Sequence, residues 1–399
     1  MKMMFANRSA NINGAHHGIV VLLMSTVLFM LACHKDDDVT HPGPGGGTGG
    51  PQLPAVPFDY TTVVLPAHLA AALTNDPLID NTPADNPITN AGATLGRVLY
   101  YDKHLSVNDV TACATCHHQD KAFTDGLVVS EGHLGGQTRR NAMPTVNARY
   151  FRAKKMFWDM RADDLETQVL MPITDAIEMG MPSLVGLETK LAGLPYYPPL
   201  FEAAFGDATI TSDRISKALA QFVRSIVSVN SRYDDGVATG FVDLTPEEEA
   251  GRDLVINFDC VECHSDLTTV VGGSGHTFLV VDNSGMNTGF GANNGLDLNY
   301  LDNGIGEITG LAQDQGTFKM PSLRNVALTG PYMHDGRFAT LEEVLNHYAT
   351  GIQAHPNRGV QMPPGGLPLN AAQQAAIVAF LHTLTDEALA TDVRYSDPF

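Results

Sequence analysis

Cys113-Ala114-Thr115-Cys116-His117 is a five-residue pattern that returns at Cys260-Val261-Glu262-Cys263-His264. These two stretches decide what the chain folds around. Two thiols three positions apart lie on one face of a single helical turn. Cys-x-x-Cys-His is the pattern by which haem is held covalently: each thiol adds to a vinyl group, and the next histidine takes the iron from the proximal side. A zinc site would need the two cysteine pairs close together, and a redox dithiol needs no histidine after it. Cys113, Cys116 and His117 therefore define one expected haem c, and Cys260, Cys263 and His264 a second.

The surrounding sequence is helical in pattern. Ile215, Leu219, Phe222, Ile226 and Val229 recur at helical spacing and give one apolar face between the motifs. Thr245-Pro246-Glu247-Glu248 pairs an N-cap threonine with proline at the first helical position and glutamate at the third, a capping box. Thr340-Leu341-Glu342-Glu343 and Asn370-Ala371-Ala372-Gln373 open two further helices in the same manner. From about Gly272 to Gly316 the chain is rich in Gly, Asn and Asp and reads as a long loop, with strand signal confined to short runs such as Thr277–Val281. The expected fold is mainly α, a tandem of two cytochrome-c-like helical domains, 58–235 and 236–399, each with one covalently bound haem c.

A chain of 399 residues suffices for two such cores, and 44% apolar content is ordinary for a globular protein. The net charge of −20, with Lys and Arg scattered, argues against a nucleic-acid partner, which demands a basic footprint. It suits association with a basic electron-donor protein. At the N-terminus Lys2 and Arg8 precede an apolar run from Ile19 to Ala32, too short to span a bilayer. Met30-Leu31-Ala32-Cys33 resembles a bacterial lipobox, with Met30 where Leu is usual. Residues 1–32 are read as a lipoprotein signal peptide and Cys33 as the lipidated mature terminus; the plainer alternative is a signal peptide with an incidental cysteine. Residues 33–57, rich in Gly and Pro, read as a flexible tether. The expectation is an exported, lipid-anchored protein on the periplasmic side or outer surface of a Gram-negative envelope.

Four stretches carry a family resemblance: Leu95-Gly96-Arg97-Val98-Leu99-Tyr100-Tyr101-Asp102, Phe157-Trp158-Asp159-Met160-Arg161-Ala162, Pro321-Ser322-Leu323-Arg324-Asn325 and Pro331-Tyr332-Met333-His334-Asp335-Gly336. Their order and content resemble the bacterial diheme cytochrome c peroxidases and their MauG-type relatives, from about Leu95 to Leu384. Met160 stands where that family usually has Gly.

The resemblance implies a peroxidatic haem on His117 and an electron-transfer haem on His264. It implies that Trp158 lies between them as a relay, that Glu178 is a distal acid able to shuttle a proton, and that Gln168 is a distal amide able to hydrogen-bond peroxide. Taken alone, Trp158 reads as core, and Glu178 and Gln168 as solvated surface. Asn141, Thr329 and Pro331 match a calcium site of one side-chain and two backbone oxygens. His133 falls where peroxidases of the family carry a histidine that caps the first iron at rest; alone, it is a loop histidine. Tyr348 falls at the distal position of the second haem, as in MauG-type enzymes, with Met320, Met362 and His347 as rivals and simple helix packing as the bland alternative. A phenolate there would lower the potential, whereas a thioether raises it.

The leading expectation is reduction of hydrogen peroxide by electrons from a small donor, a cytochrome c or cupredoxin-like protein. The alternatives are MauG-like oxidation of aromatic residues on a partner protein, or a non-catalytic electron-transfer lipoprotein. A homodimer is compatible with the resemblance.

Overall fold

The computed structural model describes residues 49–265, 276–279 and 291–399, all within one compact unit, Pro44–Phe399. Residues 1–32, read above as a signal segment, Cys33 and most of the expected tether lie outside the described residues.

Two helix crossings organise the molecule. The helix Asn90–Tyr101 is capped by the Thr89 hydroxyl, which accepts from the Gly92 N–H at 3.0 Å. It crosses the helix Ser212–Ser225 at Gly96, where a Cβ would stand 2.0 Å from the Ala218 carbonyl oxygen and 2.7 Å from Phe222 Cβ. The helix Pro246–Asn257 crosses Ala371–His382 in the same way: a Cβ on Gly251 would stand 1.9 Å from the Ala376 oxygen and 2.8 Å from Phe380 Cβ. Only glycine permits so close an approach. Each crossing is thus a Gly against an Ala with a Phe four residues on, and each has a Cys-x-x-Cys turn beside it, Cys113–Cys116 and Cys260–His264. The three expected caps form: Thr245, Thr340 and Asn370 accept from the backbone of Glu248, Glu343 and Gln373, whose side chains reach back.

One apolar core gathers Leu95, Leu99, Leu165, Leu219, Phe222 and Ile226. A second gathers Val255, Phe278, Leu341, Phe380 and Leu384. Between them, Tyr150, Phe151, Met160, Val229, Leu279 and Met320 pack with Cys263. Within that middle cluster Met160 has φ +55°, the left-handed backbone that glycine favours, so its position keeps the conformation without the usual residue.

Two expectations about local structure change. Of the run Thr277–Val281, residues 277–279 are not in a strand and 280–281 lie outside the described residues; the strands among the described residues are Gly291–Ala292 and Phe318–Lys319, paired antiparallel. The expected loop from Gly272 to Gly316 contains a helix, Ile305–Thr309. That helix is too short for periodicity to reveal.

The tail past Asp386 lies in the range expected for the second half but packs on the first. Leu389 and Tyr395 join the core of Leu95 and Phe222. Tyr60 donates to the Arg394 carbonyl at 2.8 Å, Arg97 to that of Ser396 at 2.6 Å, and Gln119 to those of Leu389 and Asp392 at 2.8 and 2.9 Å.

Candidate functional site

The two Cys-x-x-Cys turns end in matching histidines. His117 donates from Nδ1 to the Phe123 carbonyl, and His264 from Nδ1 to the Pro321 carbonyl, each at 2.8 Å. Burial pushes both imidazoles below their ordinary pKa, so they are neutral. A neutral ring with its proton on Nδ1 carries its lone pair on Nε2, the tautomer a metal requires. The four cysteines of the two turns form no disulfide. Burial raises Cys113 and Cys263 to about 12 and Cys116 and Cys260 to about 11, so they are neutral thiols rather than the activated thiolate of a redox dithiol. Among the described residues no three His, Cys, Asp or Glu side chains cluster as metal ligands. This donor set fits haem c and not zinc.

A cavity of about 410 Å³ opens beside the first turn. Cys116, His117, Trp158, Gln168 and Glu178 all border it, so the expected residues of the first haem meet in one place. Trp158 donates from Nε1 to the Asn141 carbonyl at 2.9 Å and accepts the Lys319 N–H at 2.8 Å. Lys319 is two residues from Pro321, whose carbonyl holds His264. A short covalent and hydrogen-bonded path therefore runs from the second imidazole to the indole at the edge of the first cavity.

Glu178 is set by the turn that Asp175 caps, whose Oδ1 accepts from the Glu178 N–H at 3.0 Å. Burial, and secondarily the Asp175 carboxylate, push its carboxyl up to about 7; Arg161 partly offsets this. Such a group both takes and returns protons near neutrality.

His133 lies behind Glu178. Its N–H donates to the carbonyls of Ile177 and Glu178 at 3.2 and 3.0 Å, and its ring covers Gly180, where a Cβ would stand 2.4 Å from it. The His133 ring is not among the groups that border the cavity.

Asn141 donates its N–H to the His334 carbonyl and its side-chain amide to that of Leu127, both at 2.8 Å. This brings it against the loop that carries Pro331, without a hydrogen bond to Thr329 or Pro331.

Tyr348 sits on a π-helical turn, His347–Gly351, that continues the helix Leu341–Asn346. Burial pushes its phenol to about 12; Asn294 hydrogen-bonds it, and it lies in electrostatic reach of Cys263 and Cys260. Its neighbour His347 instead turns Nε2 to the Asn294 carbonyl at 3.2 Å. Met320 is buried next to Pro321, whose carbonyl holds His264, and borders the same cavity as His117. The Met362 carbonyl accepts from Arg358 in a separate turn.

Three contributors escaped the sequence reading. Arg161 is the cation that tempers Glu178, and its position inside the Phe157–Ala162 motif was the available signal. Lys319 borders the cavity with its ammonium 3.9 Å from the Phe151 ring centroid, burial lowering it to about 8. Asn294 lies in a stretch that reads as bare loop.

A helical chain with two such Cys-His turns and an acid-bearing cavity over one of them falls in the class of haem oxidoreductases. Residues 90–240 match the family model for di-haem cytochrome c peroxidase. The chain is 32% identical to methylamine utilization protein MauG of Methylophilus methylotrophus, over 77% of this chain and 86% of that one. It is 33% identical to cytochrome c551 peroxidase of Nitrosomonas europaea, over 74% and 80%. Among solved structures, a MauG-like protein associated with microbial copper homeostasis superposes with TM-score 0.69 at 35% identity, over 79% of this chain and 95% of that one. The diheme peroxidase BthA of Burkholderia thailandensis shares the fold, with TM-score 0.63 at 22% identity over 88% and 96%. The chain belongs to the di-haem cytochrome c peroxidase and MauG family. It is an oxidoreductase of peroxidase type, and the family implies two haem c groups.

Proposed function

We propose that the chain reduces hydrogen peroxide to water in the His117 cavity, using electrons from a small cytochrome c or cupredoxin-like donor that enter at the C-terminal haem. The observation that carries this reading is Glu178: a carboxyl raised to about 7, on one cavity with His117, Gln168 and Trp158. Haem c on Cys113, Cys116 and His117 would supply an iron that binds peroxide and exchanges electrons. Peroxide takes up two electrons and two protons to give two waters. Glu178 takes the proton of the near oxygen and delivers it to the departing one. The Gln168 amide orients the peroxide, and Trp158 carries electrons along the path through Lys319 and Pro321. In this reading 58–235 is the peroxidatic domain and 236–399 the electron-transfer domain. The calcium site of Asn141, Thr329 and Pro331, the lipid anchor on Cys33 at the cell envelope and resting-state capping by His133 belong to the same proposal. A non-catalytic carrier has no use for the raised carboxyl.

Tyr348 favours a second reading, MauG-like oxidation of an aromatic residue on a partner protein, because as a phenolate ligand it would stabilise oxidised states of a haem held by Cys260, Cys263 and His264. Stopped-flow spectroscopy of the holo-protein with peroxide separates the two. Reaction only after one-electron reduction, followed by turnover with a reduced cytochrome, supports the peroxidase. Fast reaction of the diferric protein to a long-lived oxidised state that Tyr348→Phe abolishes overturns it in favour of the MauG-like reading.

A further inference from the structure

Beside the first Cys-x-x-Cys turn lies a second proton-handling cluster that peroxide reduction does not use. Tyr197 is fully buried in the core against which Cys113 packs, and its phenol feels the Cys113 thiol. Its hydroxyl donates to Asp102 Oδ2 at 2.6 Å. The Tyr196 hydroxyl donates to the same oxygen at 2.8 Å. Asp102 is itself buried, 3% exposed, and its other oxygen faces His104 Nδ1 at 2.7 Å. The His104 side chain is 38% exposed, so the network reaches water. The two tyrosine rings stand 4.8 Å apart between centroids, and Tyr196 is partly exposed.

A structural anchor needs one phenol on one carboxylate. Here two adjacent phenols share one carboxylate oxygen, and a histidine links the other oxygen to solvent. A neutral phenol loses an electron readily only if its proton has somewhere to go, and a hydrogen-bonded carboxylate supplies that place. Burial holds the Tyr197 phenol well above its ordinary pKa, so it is neutral at rest and its oxidation must release a proton.

We propose that Tyr197 and Tyr196 form a redox-active tyrosine pair that carries oxidising equivalents from the first haem pocket to the surface, with Asp102 as proton acceptor and His104 as outlet. The proposal rests on the peroxidase reading for its oxidant, hydrogen peroxide. Tyr197 gives one electron to the peroxide-oxidised pocket and its hydroxyl proton to Asp102 Oδ2. Tyr196 then gives an electron to the Tyr197 radical and its own proton to Asp102, while a proton returns to Tyr197. A one-electron reductant of the phenol or ascorbate class restores Tyr196 by donating one electron and one proton. Two such events supply two electrons; the two protons left on Asp102 leave through His104 to solvent while the pocket takes up two from solvent, so that one peroxide becomes two waters. The pair would thus be an oxidation site for small reductants, separate from the entry at the C-terminal haem.

The test is freeze-quench electron paramagnetic resonance of the holo-protein, one-electron-reduced for the peroxide arm and diferric for the flash arm, with the optical spectrum followed in parallel. Peroxide supplies the oxidant in one arm, and flash-excited ruthenium tris(bipyridine) with persulfate supplies it in the other. The expected signal is a tyrosyl radical that narrows in protein made with β-deuterated tyrosine. Tyr197→Phe lowers its yield at least tenfold, and Tyr196→Phe slows ascorbate oxidation at least fivefold while the radical on Tyr197 persists. Radical yield unchanged by Tyr197→Phe in both arms overturns the proposal. A Tyr197-dependent radical in the flash arm alone, without optical change on peroxide addition, supports the pair and sinks the peroxidase reading instead.

Discussion

Replacing Glu178 by glutamine keeps the side chain's size and polarity and removes its titrating proton. The carboxyl is held at about 7 instead of the ordinary 4.5. Near pH 7 roughly half the molecules carry the acid; at the ordinary value only about one in 300 would. A positioned acid–base group contributes about 10²- to 10⁴-fold. Glu178→Gln should therefore lose at least about 100-fold in the second-order rate of peroxide consumption, read by stopped-flow absorbance of the haem. Taking the proton from peroxide requires the carboxylate. The wild-type rate should rise about tenfold per pH unit below 7 and level off above it, while the variant stays flat.

Stability moves the other way. The folded state binds more protons than the unfolded chain between pH 4.5 and 7, so the stabilisation present below 4.5 is lost as pH rises through 7. The gap, at 1.36 kcal/mol per unit, caps this at about 3 kcal/mol, and partial exposure of the side chain brings it to about 1–2 kcal/mol. Glu178→Gln should unfold harder than wild type by that amount at pH 8 and no differently at pH 4. A variant rate within threefold of wild type, with the pH profile retained, would refute the reasoning.

Cys260→Ser with Cys263→Ser should reduce covalently held haem from two per chain to one, measured by the pyridine haemochrome and intact mass. Tyr348→Phe should alter the spectrum and raise the midpoint potential of the second haem while leaving the first unchanged; identical spectra would remove Tyr348 as a ligand. Gly96→Ala or Gly251→Ala forces a methyl against a carbonyl oxygen at 2.0 or 1.9 Å and should cost about 1–3 kcal/mol in denaturant titration. Ending the chain at Ala388 removes buried Leu389 and Tyr395, each worth about 1.5–3 kcal/mol. Hydrogen exchange should then show amides of the helix Asn90–Tyr101 losing protection.

What the sequence made legible is what local chemistry dictates. Cys113–His117 and Cys260–His264 need no tertiary information, and the caps at Thr245, Thr340 and Asn370 lie within four residues of their partners. Trp158, Gln168 and Glu178 were readable only through resemblance, since nothing within ten residues of Glu178 marks it for burial. The carboxyl's shift depends on walls from distant segments and on Arg161 across the cavity. The pairing of Tyr197 with Asp102 is of the same kind, because ninety-five residues separate the partners and nothing in the Leu95–Asp102 stretch points to Tyr197. The helix Ile305–Thr309 and the strand Gly291–Ala292 are too short for their periods to register.

The C-terminal tail has a consequence for the order of events when the chain is made. A protein that emerges N-terminus first ordinarily closes its leading domain while the rest is still arriving. Here Tyr60 must wait for Arg394, 334 positions later, and the core of Leu95 and Phe222 lacks Leu389 and Tyr395 until the last residues appear. Contacts of such separation are slow to close. Both Cys-x-x-Cys-His turns will therefore have emerged before either half is sealed, which leaves their thiols open to whatever must be attached to them.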